Sequence, residues 1–97
     1  ARAFKGRSQS QLKSLVRLLE AWLYARAVDA KIAPSMLASR QELKALALGH
    51  LRGHLDELRV LSGWRRKLVG QDLLDILEGK MVFEVEPKTG KLLAKRS

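Results

Sequence analysis

The segment from Ser62 to Gly70 holds the residues best suited to chemistry, and that chemistry is phosphate binding. Gly63 and Gly70 flank an aromatic ring, Trp64, and a run of three cations, Arg65, Arg66 and Lys67. Glycine lets a backbone approach a phosphate closely, and the guanidinium fork matches two phosphate oxygens. Backbone amides at a helix start around Gly70 to Asp72 would add donors, although the Asp72 carboxylate repels an anion. The pattern indicates a phosphate-binding loop between helices.

Each side chain of this segment also has a structural interpretation. We expect Trp64 to be a buried core anchor rather than a platform for base stacking, because so large an apolar ring gains most from burial. For Arg65 and Arg66, a salt bridge and a phosphate contact are equally well supported. The carboxylates that could form the salt bridge are Asp56, Glu57 and Glu42.

Further cations lie on the elements that must position this segment. Arg40 and Lys44 are four residues apart, so they share one face of a helix. We expect phosphate contacts from Arg40, Lys44, Arg52, Arg65, Arg66 and Lys67, joined by Lys13 and Arg17. If these side chains gather on one side of the fold, they form a surface for a polyanion.

The net charge supports a polyanionic partner. The 97 residues include 19 Lys and Arg against 10 Asp and Glu, a net charge of +9. Such an excess speeds encounter with polyanions. Five cations precede the first acid, Glu20, whereas residues 72–86 hold five acids and a single lysine. This asymmetry indicates one basic face and one neutral or acidic face.

No catalytic constellation can be assembled from the acids. Metal-dependent nucleases need several carboxylates that converge on two ions. The acids here are scattered, and the closest pairs, Asp56–Glu57 and Asp72/Asp75, are typical of solvated helix faces. We therefore expect no catalytic residue in this chain.

Metal and cofactor sites are equally unsupported. His50 and His54 have the spacing of two metal ligands on one helix face, but Gly53 lies between them and no third ligand is suitably spaced. The chain has no cysteine, and no glycine precedes a Lys-Ser/Thr pair as a phosphate loop requires. We expect no metal and no cofactor.

The apolar runs are too short for a signal peptide or a membrane span. Residues 8–30 are basic and amphipathic enough to lie on a membrane surface, but the apolar stripes downstream offer them a protein core. We expect a soluble, cytoplasmic protein with no membrane partner. Since the first residue is Ala1, we also expect the chain to be part of a longer protein.

Apolar periodicity predicts a mostly helical domain. Ser8 and Gln11 have the spacing of a capping box, and helical periodicity follows to about Ala30, because Pro34 disfavours helical geometry just before it. Pro34 itself is expected to open a short helical turn. The apolar residues of the first helix are Leu12, Leu15, Val16, Leu19, Trp22 and Leu23.

Further start and stop signals divide the rest of the chain. Ser39 and Glu42 predict a capping box, and Gly49 is expected to end the helix that follows. Helical spacing resumes at Leu51, Leu55, Leu58 and Leu61. Gly63 and Gly70 are expected to interrupt it, and a last helix begins near Asp72 and ends at Gly79.

In the remaining residues the apolar pattern changes from helical spacing to alternation. Met81, Phe83 and Val85 alternate with other side chains, and a Pro/Gly turn precedes a second apolar run, which predicts a β-hairpin. We therefore expect an all-α protein with a C-terminal hairpin or extended tail. Its parts are a flexible basic lead-in (1–7), a helical domain (8–79) and the hairpin or tail (80–97).

Two stretches resemble the HRDC domain, the helicase-and-RNase-D C-terminal module. Its first half is similar to Leu15 through Trp22, Ile32–Ala33–Pro34, Met36–Leu37–Ala38–Ser39, Leu43 and Leu46–Ala47. Its second half is similar to Leu58 through Gly70 followed by Leu73–Leu74. The Gly-Trp-Arg-Arg-x-Leu-Val-Gly segment is most similar to the C-terminal region of bacterial ribonuclease D.

The resemblance implies a compact bundle of about five short helices that helps a catalytic domain hold structured nucleic acid. In ribonuclease D-like proteins, a separate domain of the same chain performs 3′-to-5′ exonuclease chemistry on tRNA-like RNA. We therefore expect an accessory domain that positions RNA, in preference to DNA, through phosphate contacts. The alternatives are a docking module whose apolar and acidic side is the segment 72–86, and the DNA-binding module of a RecQ-type helicase.

Overall fold

The computed structural model describes residues 7–53 and 58–96, and the side chains of 10–53 and 58–96. Helix α1 spans Arg7–Ala30, so the predicted end of the first helix is confirmed and Arg7, expected in the lead-in, is already helical. Lys31 ends it with a left-handed φ of 59°. The capping box expected at Ser8 and the other lead-in residues lie outside the described side chains.

A short turn and a capped helix follow. Pro34–Met36 form the predicted helical turn, in 3₁₀ geometry. Helix α2 spans Arg40–Arg52, and its capping box is confirmed: the Glu42 amide donates to Ser39 Oγ at 3.1 Å. The expected stop at Gly49 is wrong, since the helix continues through it. Gly53 ends the helix instead, because it takes the left-handed φ of 76° that a C-terminal cap needs.

The chain from Leu58 to Leu77 differs most from expectation. Leu58 is extended and Arg59–Leu61 form a 3₁₀ turn, so the helical spacing expected through Leu61 is not a helix in the described part. Helix α3 (Gly63–Arg65), a π-helical turn (Arg66–Gly70) and helix α4 (Gln71–Leu77) then follow without a break. The segment expected to be a loop is therefore helical.

Gly70 explains why the expected break is absent. Its backbone is helical, with φ −58° and ψ −43°. A Cβ at this position would lie 2.1 Å from the Val60 carbonyl oxygen, so glycine is needed for close packing rather than for a turn. The Gln71 amide donates to the Arg66 carbonyl. The prediction of phosphate-binding amides at a helix start around Gly70 to Asp72 is therefore wrong.

The predicted β-hairpin is confirmed. Strands β1 (Met81–Val85) and β2 (Leu92–Arg96) pair antiparallel, with Met81 opposite Arg96 and Val85 opposite Leu92. The hairpin packs on the helices through Phe83, whose ring lies edge-on to Trp22 at a centroid distance of 5.6 Å. A lone hairpin is marginal in water, so this packing accounts for its order.

The core lies where α1, α2, the 3₁₀ turn at 59–61 and α4 meet. Its fully buried large side chains are Leu19, Leu37, Leu43, Leu46, Leu73, Val60 and Val69. The predicted mostly helical architecture is confirmed. Within residues 7–53 and 58–96, α1, α2 and the continuous stretch 63–77 make three helices rather than about five. No helix among these residues is long and apolar enough to cross a bilayer.

Candidate nucleic-acid interface

A cleft of about 860 Å³ runs between α1 and α2, and cations surround it. Five of the eight predicted binding residues line this cleft: Lys13, Arg17, Arg40, Lys44 and Arg52. All five side chains are exposed. The apolar part of the lining consists of Leu12, Val16, Leu48 and Leu51. The cleft therefore combines an apolar lining with a cationic rim.

Helical spacing explains how the sequence builds the cleft. Lys13, Arg17 and Glu20 recur at four and three residues, so they project from one face of α1. Arg40 and Lys44 share a face of α2 for the same reason, and Leu48 continues that face by one more turn. The cleft forms because these two faces meet.

Glu20 is the cleft residue that the sequence interpretation missed. Both Nε and Nη2 of Arg40 donate to its carboxylate, each at 3.1 Å. The hydrogen bonds to Glu20, and then the charge of that carboxylate, raise the pKa of Arg40 above its ordinary value. Arg40 is thus tied to α1 and largely neutralised. The available signal was the position of Glu20, three residues after Arg17 on the same helical face.

The other cleft cations have no carboxylate partner among the residues that the structure describes. Described ion pairs elsewhere occupy most of the carboxylates: Arg26–Asp29, Arg59–Glu42, Lys80–Glu78, Lys91–Asp29, Lys95–Glu84, and Arg96 with Asp72 and Asp75. The positive charge that these pairs leave over is concentrated at the cleft and at the Arg65–Lys67 triplet.

The triplet itself does not line the cleft. Arg65 Nε donates to the Met36 carbonyl at 2.8 Å, and its guanidinium lies over the Trp64 ring, 4.4 Å from the centroid. Arg66 donates to the side-chain oxygen of Gln71, with Nη2 at 3.1 Å. The side chain of Lys67 is exposed.

The salt bridges considered for the two arginines are not seen in the described part of the chain. Arg65 and Arg66 bind neutral oxygens there, and Glu42 pairs with Arg59 at 2.8 Å instead. The other two candidate partners, Asp56 and Glu57, lie outside the described residues. The triplet therefore keeps its charge with respect to every described carboxylate.

The prediction that Trp64 is a core anchor is wrong, because 47% of its surface is exposed. The face that the stretch 63–77 buries in the core consists of Val69, Leu73 and Ile76, and Trp64 does not belong to it. The buried tryptophan is Trp22, at 9% exposure.

Comparison with known proteins shows which family this chain is related to. The chain is 33% identical to the ribonuclease D of Sphingobium indicum over 92 residues, which are 95% of this chain and 21% of that protein. It is 31% identical over 81 residues to the ribonuclease D of Zymomonas mobilis, covering 84% of this chain and 19% of that protein. The chain is homologous to the C-terminal region of ribonuclease D.

A third relative, the ribonuclease D of Granulibacter bethesdensis, is 35% identical over 80 residues, which are 82% of this chain and 19% of its own length. The chain thus spans about a fifth of the length of the ribonuclease D relatives that it matches. No family model and no solved structure matches it. The resemblance seen in the sequence is confirmed, and the fold is consistent with the HRDC domain of ribonuclease D.

The matched part of ribonuclease D is its non-catalytic C-terminal region. Among the described residues, no group of three potential metal ligands comes together. His54, the second member of the histidine pair considered above, lies outside them. The comparison makes this chain the counterpart of an accessory domain.

The segment 72–86 does not present the acidic surface considered for docking to a nuclease domain. Arg96 pairs with both Asp72 and Asp75, and Lys95 pairs with Glu84 at 2.8 Å. Phe83 turns inward onto Trp22. Four of the five acids on this side therefore have a cationic partner, although Asp72 and Asp75 share a single arginine.

Proposed function

We propose that this chain is an RNA-binding accessory domain of a ribonuclease D-type enzyme. It positions structured RNA, such as a tRNA-like 3′ end, for a 3′-to-5′ exoribonuclease domain of the same chain. The observation that carries the proposal is the cleft between α1 and α2, where cations without a described carboxylate partner surround an apolar lining. Homology to ribonuclease D supports RNA as the class of partner.

Phosphate contacts dominate the binding. Lys13, Arg17, Lys44 and Arg52 are exposed and project around one cleft, so a nucleic-acid backbone can contact several of them at once. Each neutralised phosphate releases counterions, and affinity falls by roughly 0.7–0.9 log units per contact for each tenfold rise in salt. With about four to six contacts, the salt dependence is steep.

Titration of labelled tRNA at two salt concentrations tests the proposal. The test variant is Arg17→Gln combined with Lys44→Gln, which removes one cation from each wall of the cleft. We expect weaker binding and a salt slope shallower by about 1.4–1.8. The matched control is Lys31→Gln combined with Lys88→Gln, two exposed cations away from the cleft that carry the same charge change. Equal effects of the two double variants would contradict a role for the cleft.

The choice between RNA and DNA rests on the relatives of this chain. A RecQ-type DNA-binding module would bind single-stranded DNA in preference, whereas the ribonuclease D relatives support RNA. Competition between tRNA and single-stranded DNA for the chain distinguishes the two. We propose that RNA competes more strongly and that the parent protein acts in the cytoplasm.

A second candidate function is docking to the catalytic domain. The outer face of the hairpin, opposite the face of Phe83, exposes two apolar side chains: Val82 at 51% and Leu93 at 39%. Exposed apolar groups on one face favour a protein contact. A docking module would show little affinity for tRNA at physiological salt, so the titration above also separates the two functions.

A further inference from the structure

Trp64 is half exposed although it is one of only two tryptophans in the chain. It is absent from the hydrophobic core and from the partly buried side chains that pack against that core. Burial of an indole is strongly favourable, so an exposed ring on an ordered helix is a costly feature for stability alone. The presence of an exposed tryptophan at this position therefore needs an explanation other than core packing.

The cation that lies over the Trp64 ring is itself held in place. The Arg65 guanidinium lies over the ring at 4.4 Å, and its Nε is bonded to the Met36 carbonyl at 2.8 Å. Both planar groups are therefore ordered before any ligand arrives. Preorganisation lowers the entropy cost of binding, and planar aromatic and guanidinium groups are the surfaces on which unpaired bases stack.

We propose that Trp64 and Arg65 form a stacking platform for an unpaired base of RNA. This binding role rests on the proposed function and specifies that the RNA is single-stranded where it meets the platform. Charge selects the partner. Arg65, Arg66 and Lys67 pair with no carboxylate in the described part of the chain, so the surroundings of the ring attract an anion. Phosphates on either side of the stacked base meet this charge.

The platform lies close enough to the cleft for one strand to reach both. Arg65 contacts Met36, which is four residues before Arg40 at the start of α2. Four residues span at most about 14 Å. Unpaired nucleotides leaving the cleft at its Arg40 end therefore come within reach of Trp64. A duplex keeps its bases stacked inside, so the platform recognises single-stranded RNA.

The test compares two oligonucleotides of equal length and charge. One is a short single-stranded RNA, and the other is its abasic analogue, which keeps the phosphates and lacks the bases. Trp64→Ala in the full 97-residue chain should weaken binding of the first by about 5- to 140-fold and leave the second unchanged. Trp64→Phe should restore most of the affinity, because phenylalanine also stacks.

Fluorescence provides a second readout. Trp22 is buried and Trp64 exposed, so quenching by the base-bearing RNA should disappear in Trp64→Phe. The cleft variant Arg17→Gln with Lys44→Gln should weaken both oligonucleotides. If Trp64→Ala affects both equally or neither, the platform is wrong while the cleft stands. If the wild-type chain binds tRNA but neither oligonucleotide, the platform is wrong and the proposed function stands; if it does not bind tRNA either, both fail.

Discussion

Arg40 reaches from the first turn of α2 to Glu20 on α1 and donates two hydrogen bonds to its carboxylate, each at 3.1 Å. This bidentate pair bridges the two walls of the cleft. It also places the cleft's single described carboxylate beside its cations. The pair therefore lowers the positive charge of the cleft at the point where α2 begins.

Glu20→Gln should strengthen RNA binding. The substitution removes a negative charge from the cleft and releases Arg40 for a phosphate, so affinity rises and the salt slope steepens by about 0.7–0.9. Titration with tRNA at several salt concentrations measures both. The matched control is Glu84→Gln, which changes the charge equally on the outer face of the hairpin. An affinity no higher than that of the control would show that Arg40 does not contact RNA.

The two tryptophans should differ in their effect on stability. Trp22 is buried, contacts Phe83 and donates to Asp72 at 3.0 Å, so Trp22→Ala should cost about 3–5 kcal/mol. Trp64→Ala should cost about 1–2 kcal/mol, because only about half of this ring is out of solvent and it lies outside the core. Urea denaturation compares the two free energies of unfolding. Equal losses would place Trp64 in the core after all.

Gly70→Ala should destabilise the domain, although alanine is the better helix former. The added Cβ would lie 2.1 Å from the Val60 carbonyl oxygen, and a backbone atom cannot move aside cheaply. We expect a loss at the upper end of about 1–3 kcal/mol, measured by thermal unfolding. Gly90→Ala is the control: its Cβ meets nothing within 4 Å, and only the φ of 74° opposes it. A stabilising Gly70→Ala would refute the close contact.

Arg96→Ala should loosen the hairpin from the helices. Arg96 pairs with Asp75, whose carboxylate is buried, and with Asp72 at 3.3 Å. Loss of this partner leaves a buried acceptor less well satisfied, which costs about 1–3 kcal/mol. Lys95→Ala, on the same strand, breaks only the exposed pair with Glu84 and should cost within about 1 kcal/mol. If the two variants melt together, Arg96 does not anchor the hairpin.

Local signals in the sequence were sufficient for much of the fold. The capping box of Ser39 and Glu42, the turn at Pro34 and the alternation from Met81 each depend on neighbours within a few residues. Gly70 was misinterpreted because a glycine that breaks a helix and a glycine that allows close packing look the same in a sequence. Only the position of Val60 across the interface distinguishes them.

The candidate site was predictable only as far as it depends on spacing within one helix. Helical spacing puts Arg40 and Lys44 on one face, but their alignment with Lys13 and Arg17 depends on how α1 and α2 pack. The acidic character of the segment 72–86 was overestimated from the sequence. Asp72 and Asp75 look like an acidic surface in the sequence, but both bind Arg96, which lies more than twenty residues away in the chain.

The central claim is that RNA lies in the cleft between α1 and α2. Titration of the ¹⁵N-labelled chain with an unlabelled RNA hairpin that ends in an unpaired 3′ strand tests it residue by residue. Amide shifts should concentrate along residues 12–20 and 40–52, and those of 81–96 should stay nearly unchanged. Shifts confined to the hairpin strands, with both walls of the cleft unaffected, would contradict it.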